Sequence, residues 1–154
     1  MPSHYRDPRA PAPNRALRVG ALALIERGGA LLLERRADDG TWGLVGGALE
    51  SDESLSEAVR REVLEETGFT TRSIELFGVF SDPSRIVAYA DGNVYRVLAV
   101  VFRVDVEDGH PICSEESDDL RFVPRHELPG LDFTPAHRTI IEAFLGGPDS
   151  VVLE

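Results

Sequence analysis

An α/β sandwich with a mixed β-sheet is the fold class that this sequence predicts. Three observations carry it. Stretches of strand character outnumber stretches of helical character. Asp91-Gly92 sits between two apolar, β-branched runs as a hairpin turn. The helical segments fall irregularly among the strands, which argues against a regular βαβ array.

The elements follow in order. Residues 1–16 carry four prolines and little apolar periodicity, which predicts an extended arm or flexible tail. LRVGALALIE (17–26) and ALLLERR (30–36) are expected strands around an RGG turn, followed by a loop at 37–43. LVGGALE (44–50) is glycine-kinked and extended. Ser54 and Glu57 form a capping-box pair and Gly68 a stop signal, which predicts a helix over about 55–67. RSIELFGVFS (72–81) is a strand, and 85–106 is a hairpin turning at Asp91-Gly92. An acidic loop (107–119), the short strand LRFV and a turn-rich link lead to a closing helix at 134–145, with Thr134 as N-cap and Pro135 in its first turn. The domain assignment is an arm at 1–16, one domain at 17–146 and a tail at 147–154.

At 154 residues the chain suits a single domain with its own core. The net charge of −11 argues against nucleic acid and against an anionic membrane surface as partners. All 16 basic residues are arginine, so lysine Schiff-base chemistry and a P-loop lysine are excluded. Cys113 is alone, which excludes a disulfide framework and a cysteine-rich zinc site. With neither a signal peptide nor an apolar run of membrane-spanning length, a cytoplasmic location is expected. The arm also leaves room for a homodimer contact.

The stretch RREVLEETGF (60–69) raises an electrostatic question, because Glu62, Glu65 and Glu66 crowd an already acidic chain. At about 100° per residue they fall in the arc of Leu55, Ala58 and Val59, while Ser56, Arg60 and Thr67 fall away from it. Carboxylates turned toward the protein body need compensation, since an unpaired buried carboxylate costs several kcal/mol. Arg61, four residues from Glu65, supplies one positive charge. A divalent cation would supply the rest, and oxygen-only ligation favours Mg²⁺ or Mn²⁺ over Zn²⁺. That points to metal-dependent phosphate chemistry.

The stretch from Gly47 to Phe69 resembles the signature of the Nudix hydrolases: Gly47, Glu53, Arg61, Glu62, Val63, Glu65, Glu66, Gly68 and Phe69 fill every defined position. TWGLVGGALE is similar to the family's lead-in, with Val45 where proline is usual, and LRFVPRHELPGL is similar to its late segment. The resemblance spans about 17–145. It implies an α/β/α sandwich that hydrolyses a nucleoside diphosphate linked to a second moiety X, with Mg²⁺ or Mn²⁺ as cofactor and a nucleotide-type substrate. It implies Glu62, Glu65 and Glu66 as metal ligands, Gly47 as a backbone ligand, and Arg61 as an orienting residue. Glu50 and Glu53 either bind metal through water or support the loop. The general base is a signature glutamate or a later acid, with Glu116 the leading loop candidate and Glu115 and Asp119 its rivals.

X is less legible. Arg36, ahead of Arg35, either holds phosphates or, like Arg35, is a surface strand charge. Trp42 either stacks on a base or packs in the core. Tyr89, Tyr95 and Arg96 either contact X from the hairpin or face solvent. His110, His126 and His137 lack metal-ligand spacing and are expected to be surface or structural residues. Two other classes stand beside hydrolysis: a non-catalytic nucleotide-sensing module, which has no need of the full glutamate set, and diphosphate isomerisation, for which Cys113 is poorly placed.

Overall fold

Alternation in two neighbouring strands builds the centre of the molecule. The computed structural model describes residues 2–154. Its elements are β1 (Ser3–His4), β2 (Arg18–Leu24), β3 (Glu26–Arg27), β4 (Ala30–Arg36), β5 (Trp42–Gly43), β6 (Val45–Ala48), α1 (Leu55–Thr67), β7 (Thr71–Phe80), β8 (Ile86–Ala88), β9 (Val94–Val106), β10 (Ser117–Pro124), a 3₁₀ turn at Arg125–Gly130, α2 (Pro135–Leu145) and β11 (Val152–Leu153). Successive side chains of a strand point to opposite faces. Leu22 and Leu24 of β2 join Leu31 and Leu33 of β4 in a core cluster with Phe77, Ile140, Ile141 and Phe144. Ala21, Ala23 and Leu32 turn the other way, into a cluster with Ala58, Val59 and Val63 of α1.

The larger sheet runs β1-β8-β9-β2-β6, with β7 beside β9 and β11 beside β7. β2 and β9 pair in parallel from Arg18↔Val97 to Leu24↔Arg103, and β2 pairs antiparallel with β6 through Ala21↔Gly47 and Leu22↔Gly46. The smaller sheet pairs β4 with β10, β3 and β5. This is the mixed-sheet α/β class that the sequence predicts.

α1 begins and ends where its sequence says. The Ser54 side chain accepts from the Glu57 amide, the Glu57 carboxylate accepts from the Ser54 amide, and Gly68 closes the helix in the left-handed region at φ 75°. The wheel needs two corrections. Glu65 is exposed at the rim, not on the buried stripe. Thr67 is fully buried because its Oγ1 donates to the Val63 carbonyl and accepts from the Phe69 amide, which removes the penalty of an inward hydroxyl.

Both ends of the chain pair with the larger sheet. Ser3–His4 pairs with β8, and Val152–Leu153 pairs in parallel with β7. The Asn14 side chain brackets the hairpin turn, donating to the Gly92 carbonyl and accepting from the Val94 amide. Backbone pairing and single side-chain bonds hold these segments, and neither leaves a periodic trace in sequence. Both ends meet at Arg85, one of the largest fully buried side chains. Its guanidinium donates to both Glu154 carboxylate oxygens (2.8 and 2.7 Å), to the Thr139 hydroxyl and to the Ala136 carbonyl, and lies against the Tyr5 ring. Arg85→Met would leave these acceptors unpaired. It is expected to cost about 3 kcal/mol, read as a lower urea midpoint at unchanged m-value.

Candidate active site

The acids of α1 reach the site because the β6 backbone lies close beneath them. Gly46 adopts φ 146°, and a Cβ there would overlap the Ala21 carbonyl of β2. A Cβ at Gly47 would overlap the Glu62 carboxylate. Glycine at both positions therefore lets helix, strand and carboxylate share one narrow space. The Gly46 amide donates to Glu66 Oε2 at 2.9 Å. Glu34, at the end of β4, faces the same space and accepts from the Ser117 hydroxyl at 2.9 Å.

Together these residues line a cleft of about 880 Å³ with Glu62, Glu65, Glu66, Glu115, Glu116, Arg36 and Tyr89 on its walls. Burial is the main force on the acids. It pushes Glu66 well up, with the neighbouring Glu34 charge adding to the effect and the Gly46 amide opposing it. Burial also raises Glu34, and it raises Glu62 against the pull of Arg61.

Arg61 organises the rim. Its Nε and Nη2 grip both Glu53 oxygens (2.9 and 2.7 Å), Nη1 donates to Glu62 at 2.7 Å and to Glu65 at 3.2 Å, and Nη2 also reaches the Ala48 carbonyl. This bidentate grip lowers Glu53 to about 2. Glu53 also accepts from the Glu50 amide, so it braces the loop into α1.

Among the described residues, no group of three or more His, Cys, Asp or Glu side chains is gathered closely enough to hold a metal as it stands. Arg61 occupies Glu62 and Glu65 instead. The chemistry of the donor set nonetheless fits a hard divalent cation. It is all oxygen, its acids are raised first by burial and further by their neighbours' charges, and the glycine backbone beside them admits no side chain.

The other sequence-predicted residues divide clearly. Glu116 and Glu115 line the cleft, whereas Asp119 pairs with Arg121. Arg36 lines the cleft and is braced by Asp38, while Arg35 pairs with Asp118. Trp42 is buried in the core beneath the Arg121 guanidinium and is not placed to stack on a base. Tyr95 lies under Arg18 and against Tyr89, and Arg96 donates to the Ser81 carbonyl; neither lines the cleft.

Sequence reasoning missed Glu34, and it placed His137 among the surface or structural histidines without its partner. Glu34 carried a weak signal, an acid directly after a leucine run. His137 carried none. Its Nδ1 accepts the Leu44 amide at 3.0 Å, and it lines a smaller cavity beside the cleft.

A family model described as the NUDIX domain matches residues 14–144. The chain is 37% identical over 105 residues to a MutT-like protein of Streptomyces ambofaciens, spanning 68% of this chain but 62% of that protein's length. It is 33% identical to the nucleoside triphosphatase NudI of Enterobacter sp. (strain 638), covering 75% of this chain and 87% of the relative. It is also 33% identical to an ADP-ribose pyrophosphatase of Methanocaldococcus jannaschii, covering 82% and 72%. The fold matches a NUDIX hydrolase from Nitrosomonas europaea with a TM-score of 0.73 at 24% identity, over 90% of this chain and 78% of that one.

Two outcomes are expected. Gly47→Ala should displace the Glu62 carboxylate and weaken Mn²⁺ binding by about tenfold or more, read by calorimetry. His137 is held neutral, lowered to about 3 by burial and then by the Arg36 and Arg85 charges. Because the unfolded chain takes up this proton first, its contribution to stability is full above about pH 6.5 and is lost as pH falls from there toward 3. Urea titrations of wild type and His137→Asn across that window should show a flatter acid slope in the variant.

Proposed function

The chain belongs to the NUDIX family, and from that premise we propose that it is a pyrophosphohydrolase acting on a nucleoside diphosphate linked to X. ADP-ribose, nucleotide sugars and nucleoside triphosphates are the substrate types in view. The observation that carries this reading is the placement of Glu62 and Glu66 against the Gly46–Gly47 backbone, facing Glu34 and Glu116 across one cleft. The named activities of the relatives, a nucleoside triphosphatase and an ADP-ribose pyrophosphatase, support the same class of bond.

Nudix hydrolases generally need a divalent metal, and the oxygen-only donor set favours Mg²⁺ or Mn²⁺ here. Glu62, Glu65, Glu66 and the Gly47 carbonyl would hold it. When bound, such a cation screens the pyrophosphate charge and stabilises the charge that develops on the leaving phosphate. The chain's own residues do the rest. Arg61 fixes the orientation of Glu62 and Glu65 through two hydrogen bonds and braces the loop through Glu53. Arg36, preset by Asp38, offers positive charge to the phosphates from the opposite wall.

A water attacks phosphorus, one P–O bond of the anhydride breaks, and a carboxylate takes the water's proton. Glu116 and Glu66 both reach the cleft for that role. Burial raises the proton affinity of Glu66, and Glu116 reaches the cleft from the turn ahead of β10.

The test is a panel of ADP-ribose, nucleotide sugars, dinucleoside polyphosphates and nucleoside triphosphates, with released products followed. Turnover is expected with Mg²⁺ or Mn²⁺ and not in excess EDTA. Glu66→Gln keeps an acceptor for the Gly46 amide and should fold, yet lose about 100-fold or more in kcat. Full activity in that variant would sink its assignment. Tight binding of one nucleotide without any turnover would favour a nucleotide-sensing module instead.

A further inference from the structure

We infer that the cavity beside the acidic cleft holds a single six-membered heteroaromatic ring and that the His137 side chain reads its edge, so the substrate carries a pyrimidine base rather than a purine. The inference deepens the hydrolase reading and rests on it for the position of the pyrophosphate.

Size is the first argument. The cavity measures about 130 Å³. An engineered apolar cavity of about 150 Å³ takes one benzene ring. A fused bicyclic purine would either press on the walls or project out of the cavity into the adjoining cleft, along the path the sugar and phosphates need. Those walls are set firmly, because Leu22 and Leu44 belong to the packed core and the Gly20 and Gly47–Ala48 backbones are paired across β2 and β6. Close-packed interiors yield little to such pressure.

Polarity is the second argument. The polar groups around the cavity are mostly committed. Arg85 is spent on Glu154, Thr139 and Ala136. Arg18 Nη1 donates to the Tyr89 hydroxyl at 2.6 Å. The Thr134 hydroxyl is bonded to Ser3 Oγ at 2.7 Å. His137 differs. Its Nδ1 accepts the Leu44 amide, which fixes the proton on Nε2. That N–H has no hydrogen-bond partner among the described residues. It is a fixed donor on a residue that lines the cavity beside Leu22, Leu44, Val87, Val97 and Ala99, with the Arg18 guanidinium, laid over the Tyr89 and Tyr95 rings, as a second donor group there. A pyrimidine presents ring-edge acceptors, O2, N3 or O4, within one ring.

Connection is the third argument. The cavity and the cleft share Gly46, Gly47, Ala48, Glu34, Arg36 and Tyr89. A ring seated in the cavity therefore directs its sugar and phosphates along the Gly46–Ala48 backbone toward Glu62 and Glu66.

The test uses the full chain. Uridine and adenosine monophosphates are titrated by calorimetry in metal-free buffer, and UTP and ATP turnover is measured with Mg²⁺. Two variants are compared. His137→Asn keeps an oxygen to accept the Leu44 amide but withdraws the donor. Gly20→Ala adds a methyl to the cavity wall, where it meets nothing closer than the Gly47 carbonyl at 3.7 Å and Val97 at 3.9 Å.

UMP should bind about tenfold or more tighter than AMP, the scale on which a pocket rejects excess bulk. His137→Asn should weaken UMP by about three- to tenfold, the weight of one neutral hydrogen bond, and raise the KM for UTP with kcat held. Gly20→Ala should weaken UMP as well. The His137 Nε2–H proton resonance should shift on UMP addition, which a purely structural histidine would not show.

Equal or tighter AMP binding, or unchanged UMP affinity in His137→Asn, overturns the inference. Turnover of purine nucleotides alone leaves the hydrolase reading standing and removes this one. His137-dependent UMP binding without turnover of any nucleotide does the reverse.

Discussion

Placing Glu62, Glu66 and Glu34 around one space is the constraint on which the rest of the structure depends. A carboxylate withdrawn from water costs several kcal/mol even after relaxation, and a domain of this kind has only about 5–15 kcal/mol of net stability. Three such groups without relief would consume much of it. The relief is specific. Arg61 donates to Glu62, the Gly46 amide donates to Glu66, and Ser117 donates to Glu34. It is also incomplete, because burial still pushes all three acids up. The remaining instability marks the place for positive charge, and it is tolerated because the site sits on rigid elements.

That rigidity comes from division of the core. One face of β2 and β4 packs into the cluster with α2, and the other packs into the cluster under α1. α1 is thus clamped to β2 and β6 by Ala58, Val59 and Val63 on the same side from which Glu62 and Glu66 project. A shift of the helix would carry apolar and acidic groups together. The backbone of β6 cannot retreat either, because Gly46 is already hard against β2. The stability function of the apolar stripe and the chemical function of the acids are therefore coupled through one helix.

Sequence legibility follows the range of the forces. α1 was readable to the residue, because its capping box and its left-handed Gly68 are local interactions. β4 was readable because a leucine run needs only its own periodicity. Glu65 and Thr67 were misplaced, because a wheel has no account of where the helix overhangs its support or of a hydroxyl that satisfies itself within one turn. Glu34 owes its role to its bond from Ser117 on β10 and to the charge it sets against Glu66 on α1, both distant in sequence. The chain ends were harder still. Their order rests on Ser3 meeting Thr134 and on Glu154 meeting Arg85, pairings that no pattern within either segment announces.

The same difference in range separates reaction from specificity. The groups proposed for the chemistry lie mostly in one run from Gly47 to Glu66, so the spacing of a single motif names the reaction. The cavity is assembled from Ser3, Arg18, Leu22, Tyr89 and His137, brought together by four separate segments. Each of these residues can change without disturbing the helix that carries the acids. A fold arranged in this way can alter what its cavity admits while the electrostatic problem at Glu62 and Glu66 stays the same. That is why the motif is informative about the bond that is broken and silent about the group attached to it. The base that the substrate carries has to be read from the cavity and from the His137 N–H that faces no partner among the described residues.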